Sequence, residues 1–145
     1  MTSEPDIECD PDVVEAKLDV VRDNLARIEE VEQREPELHA WMVDDLYALY
    51  LRRSVESCVD LANHLVAAND WPTASNASEA FEILGRRLDL EDELVDALTS
   101  MVGFRNIAVH AYDDLDPDVV RNIVSDRLDD LRRFAREIGA ATLDL

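Results

Sequence analysis

Between Met101 and Tyr112 the chain reads MVGFRNIAVHAY, where Arg105, Asn106, His110 and Tyr112 are the polar side chains and no acid occurs. Elsewhere charge is abundant, with 34 acidic residues against 14 basic ones and a net charge of -20. A guanidinium and an imidazole set into an apolar helix are costly to desolvate unless partnered, so folding preference alone does not account for them. An imidazole exchanges protons near neutral pH and a guanidinium neutralises anionic oxygen, and together they suit cleavage of an RNA phosphodiester. His110 would move a proton to or from a ribose 2′-hydroxyl or a leaving 5′-oxygen, an effect worth about 10²- to 10⁴-fold. Arg105 would stabilise the charge building on the phosphoryl oxygens. Asn106, one turn before His110, would orient the imidazole or donate to the phosphate. Such chemistry requires neither metal nor cofactor, and none is expected.

On a helical wheel turning ~100° per residue, Leu94, Leu98, Met101, Val102, Val109 and Tyr112 fall within about 60° of Arg105, while His110 projects about 140° away. An undistorted helix in one subunit therefore does not bring the pair together. A two-fold dimer packing these helices against each other would, so a homodimer with a composite site is expected. An alternative stays open: Arg105 in a buried ion pair with a carboxylate of another helix, and His110 as a helix cap.

A second polar ridge, Arg53, Glu56, Asp60 and His64, has the spacing of one helix face. It either faces the Arg105 helix and supplies a carboxylate, or uses Asp60 and His64 as an orienting acid and a base, or is a structural pair. His39 has no companion. The runs Asp44-Asp45, Asp113-Asp114 and Asp129-Asp130 are expected to be solvated faces rather than cation sites.

Positioning these groups falls to helices. Apolar residues make up 47% of the 145 residues, with three glycines and five prolines, which favours an all-α fold around one core. The expected architecture is a single-domain bundle of about five helices, two of them long. Residues 1–11 would form a polar tail holding Pro5, residues 12–139 the helical domain and residues 140–145 a C-terminal tail. Asp12 should cap a helix running to about Gln33. Pro36 should open a second of roughly 48 Å ending at Ala68, whose stripe of Leu51, Val55, Cys58, Ala62 and Leu65 has the spacing of shallow helix packing. Ser75 or Ser78 should start a short third helix, Leu90 a fourth that reaches His110 or beyond, and Pro117 a fifth ending near Gly139.

Composition also bounds the setting. The chain has no long apolar run and no basic hydrophobic leader, so a cytoplasmic protein without membrane contact is expected. Cys9 and Cys58 lack metal-like spacing and are expected to be free. Lys17 is the sole lysine, and the excess of carboxylates matches a salt-saturated cytoplasm, where screening shortens to about 3 Å or less. Under such screening an acidic exterior does not forbid RNA binding, although counterion release then contributes little.

At the Arg105 stretch the chain resembles the HepT-like toxins of the HEPN superfamily. The R-x4-H-x-Y signature is Arg105, Asn106 to Val109, His110, Ala111 and Tyr112, led by the VGF of Val102 to Phe104. VDLANHLVA, Val59 to Ala67, and ASEAFEILG, Ala77 to Gly85, resemble the family's second-helix segment and the one that follows, so the likeness covers about residues 12–138. The resemblance implies a HEPN helical fold and a metal-independent endoribonuclease cleaving mRNA or tRNA, with Arg105 and His110 catalytic at a dimer groove. It further implies the toxin of a type VII-like toxin–antitoxin pair, silenced when a minimal nucleotidyltransferase antitoxin attaches AMP to Tyr112. A non-catalytic HEPN module that binds a nucleotide or a nucleotidyltransferase is the alternative. Asp113, Asp114 and Asp116 depart from a basic RNA path, which places substrate affinity at ordinary ionic strength in question.

Overall fold

A computed structural model describes residues 7–143. Six α-helices, with no strand among the described residues, follow in the order α1 (Pro11–Arg34), α2 (Ala40–Ala68), α3 (Ala77–Arg87), α4 (Asp92–His110), α5 (Pro117–Asp126) and α6 (Leu128–Thr142). Short 3-10 turns, Glu35–Glu37 and Tyr112–Asp114, precede α2 and α5.

Asp10, not Asp12, caps α1: its carboxylate accepts the Asp12 N–H at 3.0 Å. Pro11 fits the first helical position because it has no amide proton to satisfy there. Residues 7–10, expected as loose tail, are instead pinned to the end of α2. The Asn69 side chain accepts the Glu8 N–H at 2.8 Å and donates to the Glu8 carbonyl at 2.9 Å. Pro5 and the last two residues lie outside the described residues, whereas 140–142 belong to α6.

Pro36 does not open α2. It sits in the Glu35–Glu37 turn, after which Leu38 is extended (φ -108, ψ 150), so α2 starts at Ala40 with 29 residues, about 43 Å. The α1–α2 hairpin is the most extensive helix pairing, and its interior holds Val14, Leu18, Val21 and Ile28 with Leu51, Leu61 and Leu65, all at 0% exposure. Asn76 takes the cap expected of Ser75 or Ser78, accepting the Glu79 N–H at 2.9 Å. At the far end of α3, a Cβ on Gly85 would lie 2.6 Å from Val95 Cγ2, so glycine there permits the close approach of α3 to α4. Phe81 and Phe134 meet edge to face at 5.6 Å and tie α3 to α6.

The single fifth helix expected from Pro117 to Gly139 is two. α5 packs on α2, while α6 packs on α1, α4 and α2. The direction changes at Arg127 (φ -124, ψ 0), whose N–H still closes α5 on the Ile123 carbonyl at 2.8 Å. Val120, Val124, Leu128 and Leu131 are all buried on both sides of the break, so the apolar pattern runs through it without a signal.

Candidate active site at the end of the fourth helix

Leu94, Leu98, Met101, Val102, Phe104 and Ala108 bury one face of α4. Arg105 lies in that face, half-buried. Its Nε is buried without a hydrogen-bond partner, and Arg105 forms no ion pair among the described residues. The carboxylate expected from the α2 ridge is absent because the ridge's acids are occupied elsewhere. Glu56 lies 3.9 Å from Arg52 on its own helix, and Asp60 accepts from Lys17 of α1 at 2.8 Å. A half-buried guanidinium without an anion is an unfavourable way to fill a helix face, and its remaining nitrogens are strong donors for an anionic oxygen.

His110 is the last residue of α4 and is exposed, as is Asn106 one turn before it. Gly103, a further turn back on the same side, has no heavy atom within 4 Å of where a Cβ would stand. That side of the helix is therefore open to a large ligand. Val109, expected within the apolar stripe, is 42% exposed, and so is Ile107. The apolar pocket of about 270 Å³ between α4 and α5, lined by Met101, Phe104, Ile107 and Val119, contains neither Arg105 nor His110.

Tyr112 departs from the wheel. Ala111 leaves helical geometry (φ -149, ψ 51) and Tyr112 opens a 3-10 turn, so the ~100° count stops before reaching it. Its ring is 48% exposed, and its hydroxyl donates to Asp45 Oδ1 of α2 at 2.8 Å. That hydrogen bond holds the phenol's pKa above its ordinary value, with burial and the charges of Asp45 and Asp44 acting in the same direction.

Asp44 and Asp45 are both engaged by other elements, although Asp45 is exposed as expected. Arg121 of α5 gives Nε to Asp44 and Nη1 to Glu35, each at 2.7 Å. Asp129 likewise accepts from Arg132 at 2.7 Å, and Asp130 lies 3.7 Å from Arg127. The Asp129–Arg132 pair is an i,i+3 contact within α6 that helical spacing can show, whereas the partners of Asp44 and Asp45 come from other elements, which a periodic pattern does not reach. His64 accepts the Asp10 N–H on Nε2 at 3.0 Å. It and Asp60 therefore face the α1 side of α2, whereas Asp45, Ala48, Leu49 and Arg52 face Ala108 and Tyr112. The structure gathers Arg105, Asn106, His110 and Tyr112 at one end of α4 and does not bring Asp60 or His64 to them. His39 precedes α2 without a side-chain cap bond.

Cys9 is half-buried and Cys58 buried. Both are free, and burial pushes both thiols up, Cys58 far more than Cys9. Among the described residues no group of three or more metal-ligating side chains is gathered, and no helix is long and apolar enough to cross a membrane.

A six-helix bundle whose fourth helix carries Arg105, its Nε buried without a partner, and ends on the exposed His110 has the fold and the signature of a HEPN protein. Residues 21–138 match the family described as "Ribonuclease HepT-like", and the chain belongs to that family of ribonucleases. It is 30% identical over 130 residues to the mRNA nuclease HepT of Shewanella oneidensis, covering 89% of this chain and 98% of the relative. It is 24% identical over 139 residues to the tRNA nuclease HepT of Aphanizomenon flos-aquae, covering 94% of each. Among solved structures it resembles the tri-AMPylated Shewanella oneidensis HEPN toxin in complex with MNT antitoxin, with a TM-score of 0.78 at 29% identity over 89% of this chain and 98% of that one. A toxin–antitoxin complex with AMP-PNP matches at a TM-score of 0.75 and 28% identity, over 88% of this chain and 98% of that one.

Proposed function

We propose that this chain is the toxin of a toxin–antitoxin pair, a metal-independent endoribonuclease that cuts cellular RNA with Arg105 and His110. The observation that carries the reading is the buried, unpaired Nε of Arg105 in the same short segment as the exposed imidazole of His110. In the reaction the ribose 2′-oxygen attacks the adjacent phosphorus, the 5′-oxygen leaves, and a cyclic phosphate remains. His110 moves a proton at one of those two oxygens, Arg105 binds the phosphoryl oxygens, and Asn106 steadies the ring or the phosphate. Lys17–Asp60 and Asp10–His64 serve the α1–α2 hairpin.

A homodimer completes the site in this reading. Arg105 and His110 diverge around α4, and exposed Ile107 and Val109 beside them supply apolar surface for a second copy. The second partner is a minimal nucleotidyltransferase antitoxin. The tri-AMPylated state of the Shewanella oneidensis toxin supports Tyr112 as the residue that takes AMP here. Tyr112 follows His110 by two residues, so an adenylate on it places bulk and negative charge where RNA would pass. The acidic surface fits a cytoplasm rich in salt, and the assay is matched to it.

Purified protein in molar salt with a chelator should cleave RNA to products ending in cyclic phosphate. His110→Ala should abolish cleavage with the oligomer intact. Cleavage that survives the substitution refutes the assignment.

A further inference from the structure

The antitoxin's transfer of AMP onto Tyr112, on which this inference rests, needs a proton acceptor. A phenol attacking phosphorus must lose its proton as the new bond forms. Tyr112 holds that proton more tightly than an ordinary tyrosine because of its hydrogen bond to Asp45, so phenolate is scarce at neutral pH. Asp45 Oδ1 sits 2.8 Å from the reacting oxygen. Its neighbour Asp44 is committed to Arg121 at 2.7 Å, whereas Asp45 forms no ion pair among the described residues. Tyr112 and Asp45 share a pocket of about 340 Å³ with Arg52, over a floor that includes Ala48, Leu49 and Ala108.

We propose that Asp45 is the general base for adenylylation of Tyr112 and that Arg52 receives the phosphate in the same pocket. The phenolic oxygen attacks the α-phosphorus of a nucleoside triphosphate carried by the nucleotidyltransferase, and an oxygen–phosphorus bond forms. The bond from that phosphorus to its bridging oxygen breaks, pyrophosphate leaves, and the Tyr112 proton passes to the Asp45 carboxylate. Protonation removes the charge closest to the new phosphodiester and turns Asp45 into a donor towards it. That neutralisation matters because Asp113 and Asp114 on the same turn add negative charge. From α2 Asp44 faces the site with its charge balanced by Arg121 of α5, Arg52 lines it as a cation 3.9 Å from Glu56 of its own helix, and His110 ends α4 two residues before Tyr112.

The test follows AMP incorporation by intact mass, using ATP and a cognate minimal nucleotidyltransferase, across a pH series. Asp45→Asn keeps a hydrogen-bond acceptor but takes no proton, and it should be labelled about 100-fold more slowly, within the range for a lost general base. Its rate should rise about tenfold per pH unit while the wild-type rate stays flat near neutrality. Formate added to Asp45→Ala should restore part of the rate. Labelling of Asp45→Asn at the wild-type rate and with the wild-type pH profile overturns the role of Asp45 while leaving Tyr112 as the acceptor. A wild-type chain that takes no AMP, or a Tyr112→Phe chain labelled like wild type, overturns the acceptor reading and the base with it.

Discussion

Arg105 and Arg121 lie on consecutive helices, α4 and α5, yet they are treated in opposite ways. Arg121 is paired twice, with Nε on Asp44 and Nη1 on Glu35, and the Tyr47 hydroxyl donates to the same Glu35 at 3.3 Å. Arg105 has a buried Nε and no partner. In a chain where acids outnumber bases 34 to 14, a guanidinium nitrogen buried without a hydrogen-bond partner is the anomaly. The contrast separates a group that holds α5 to α2 from one that no carboxylate of the described residues holds.

The largest effects should fall on the spared arginine and its histidine. Arg105→Ala and His110→Ala should each lower RNA cleavage by at least 100-fold in a single-turnover assay. Neither should lower the melting temperature, because one removes an unsatisfied buried nitrogen and the other an exposed ring. A melting temperature that drops steeply for Arg105→Ala would erase the distinction from Arg121.

The clamp itself has a pH signature. Burial, the charges of Glu35 and Glu32 and the hydrogen bond to Glu35 push the Tyr47 hydroxyl up to about 12 from an ordinary value of 10.0. The folded state therefore holds this proton more tightly than the unfolded chain. Its contribution to stability is complete below pH 10 and is lost as pH rises to about 12, a swing of roughly 2–3 kcal/mol. Denaturant titrations at pH 9 and 11.5 should show the loss, and Tyr47→Phe should reduce it.

Arg121→Ala should cost about 1–2 kcal/mol in equilibrium unfolding, since it leaves Glu35 and Asp44 facing each other on a half-exposed surface. RNA cleavage should persist. The smallest effect belongs to Lys17→Met. The Lys17–Asp60 pair is solvent-exposed despite its 2.8 Å contact, and its loss should stay within about 0.5 kcal/mol by the same unfolding measurement. A larger cost there would mean that surface pairs, and not only the Arg121 clamp, hold this acidic chain together.

Residue types and their period were enough to place α1, most of α2 and all of α4, because an apolar stripe of 3.6-residue period has one way to bury itself. They also marked Arg105, since a polar group inside such a stripe stands out without any knowledge of its neighbours. The break at Arg127, the start of α2 after Pro36 and the turn of Tyr112 towards Asp45 were settled by packing. Each depends on which helix comes alongside, and residues 67 positions apart carry no periodic trace of their meeting. Likewise, the chain alone shows that Asp44, Asp60 and Arg105 are charged, but only the assembled bundle shows that the first two are paired and the third is not. Coulombic partners are chosen by distance in space, which a linear pattern does not encode.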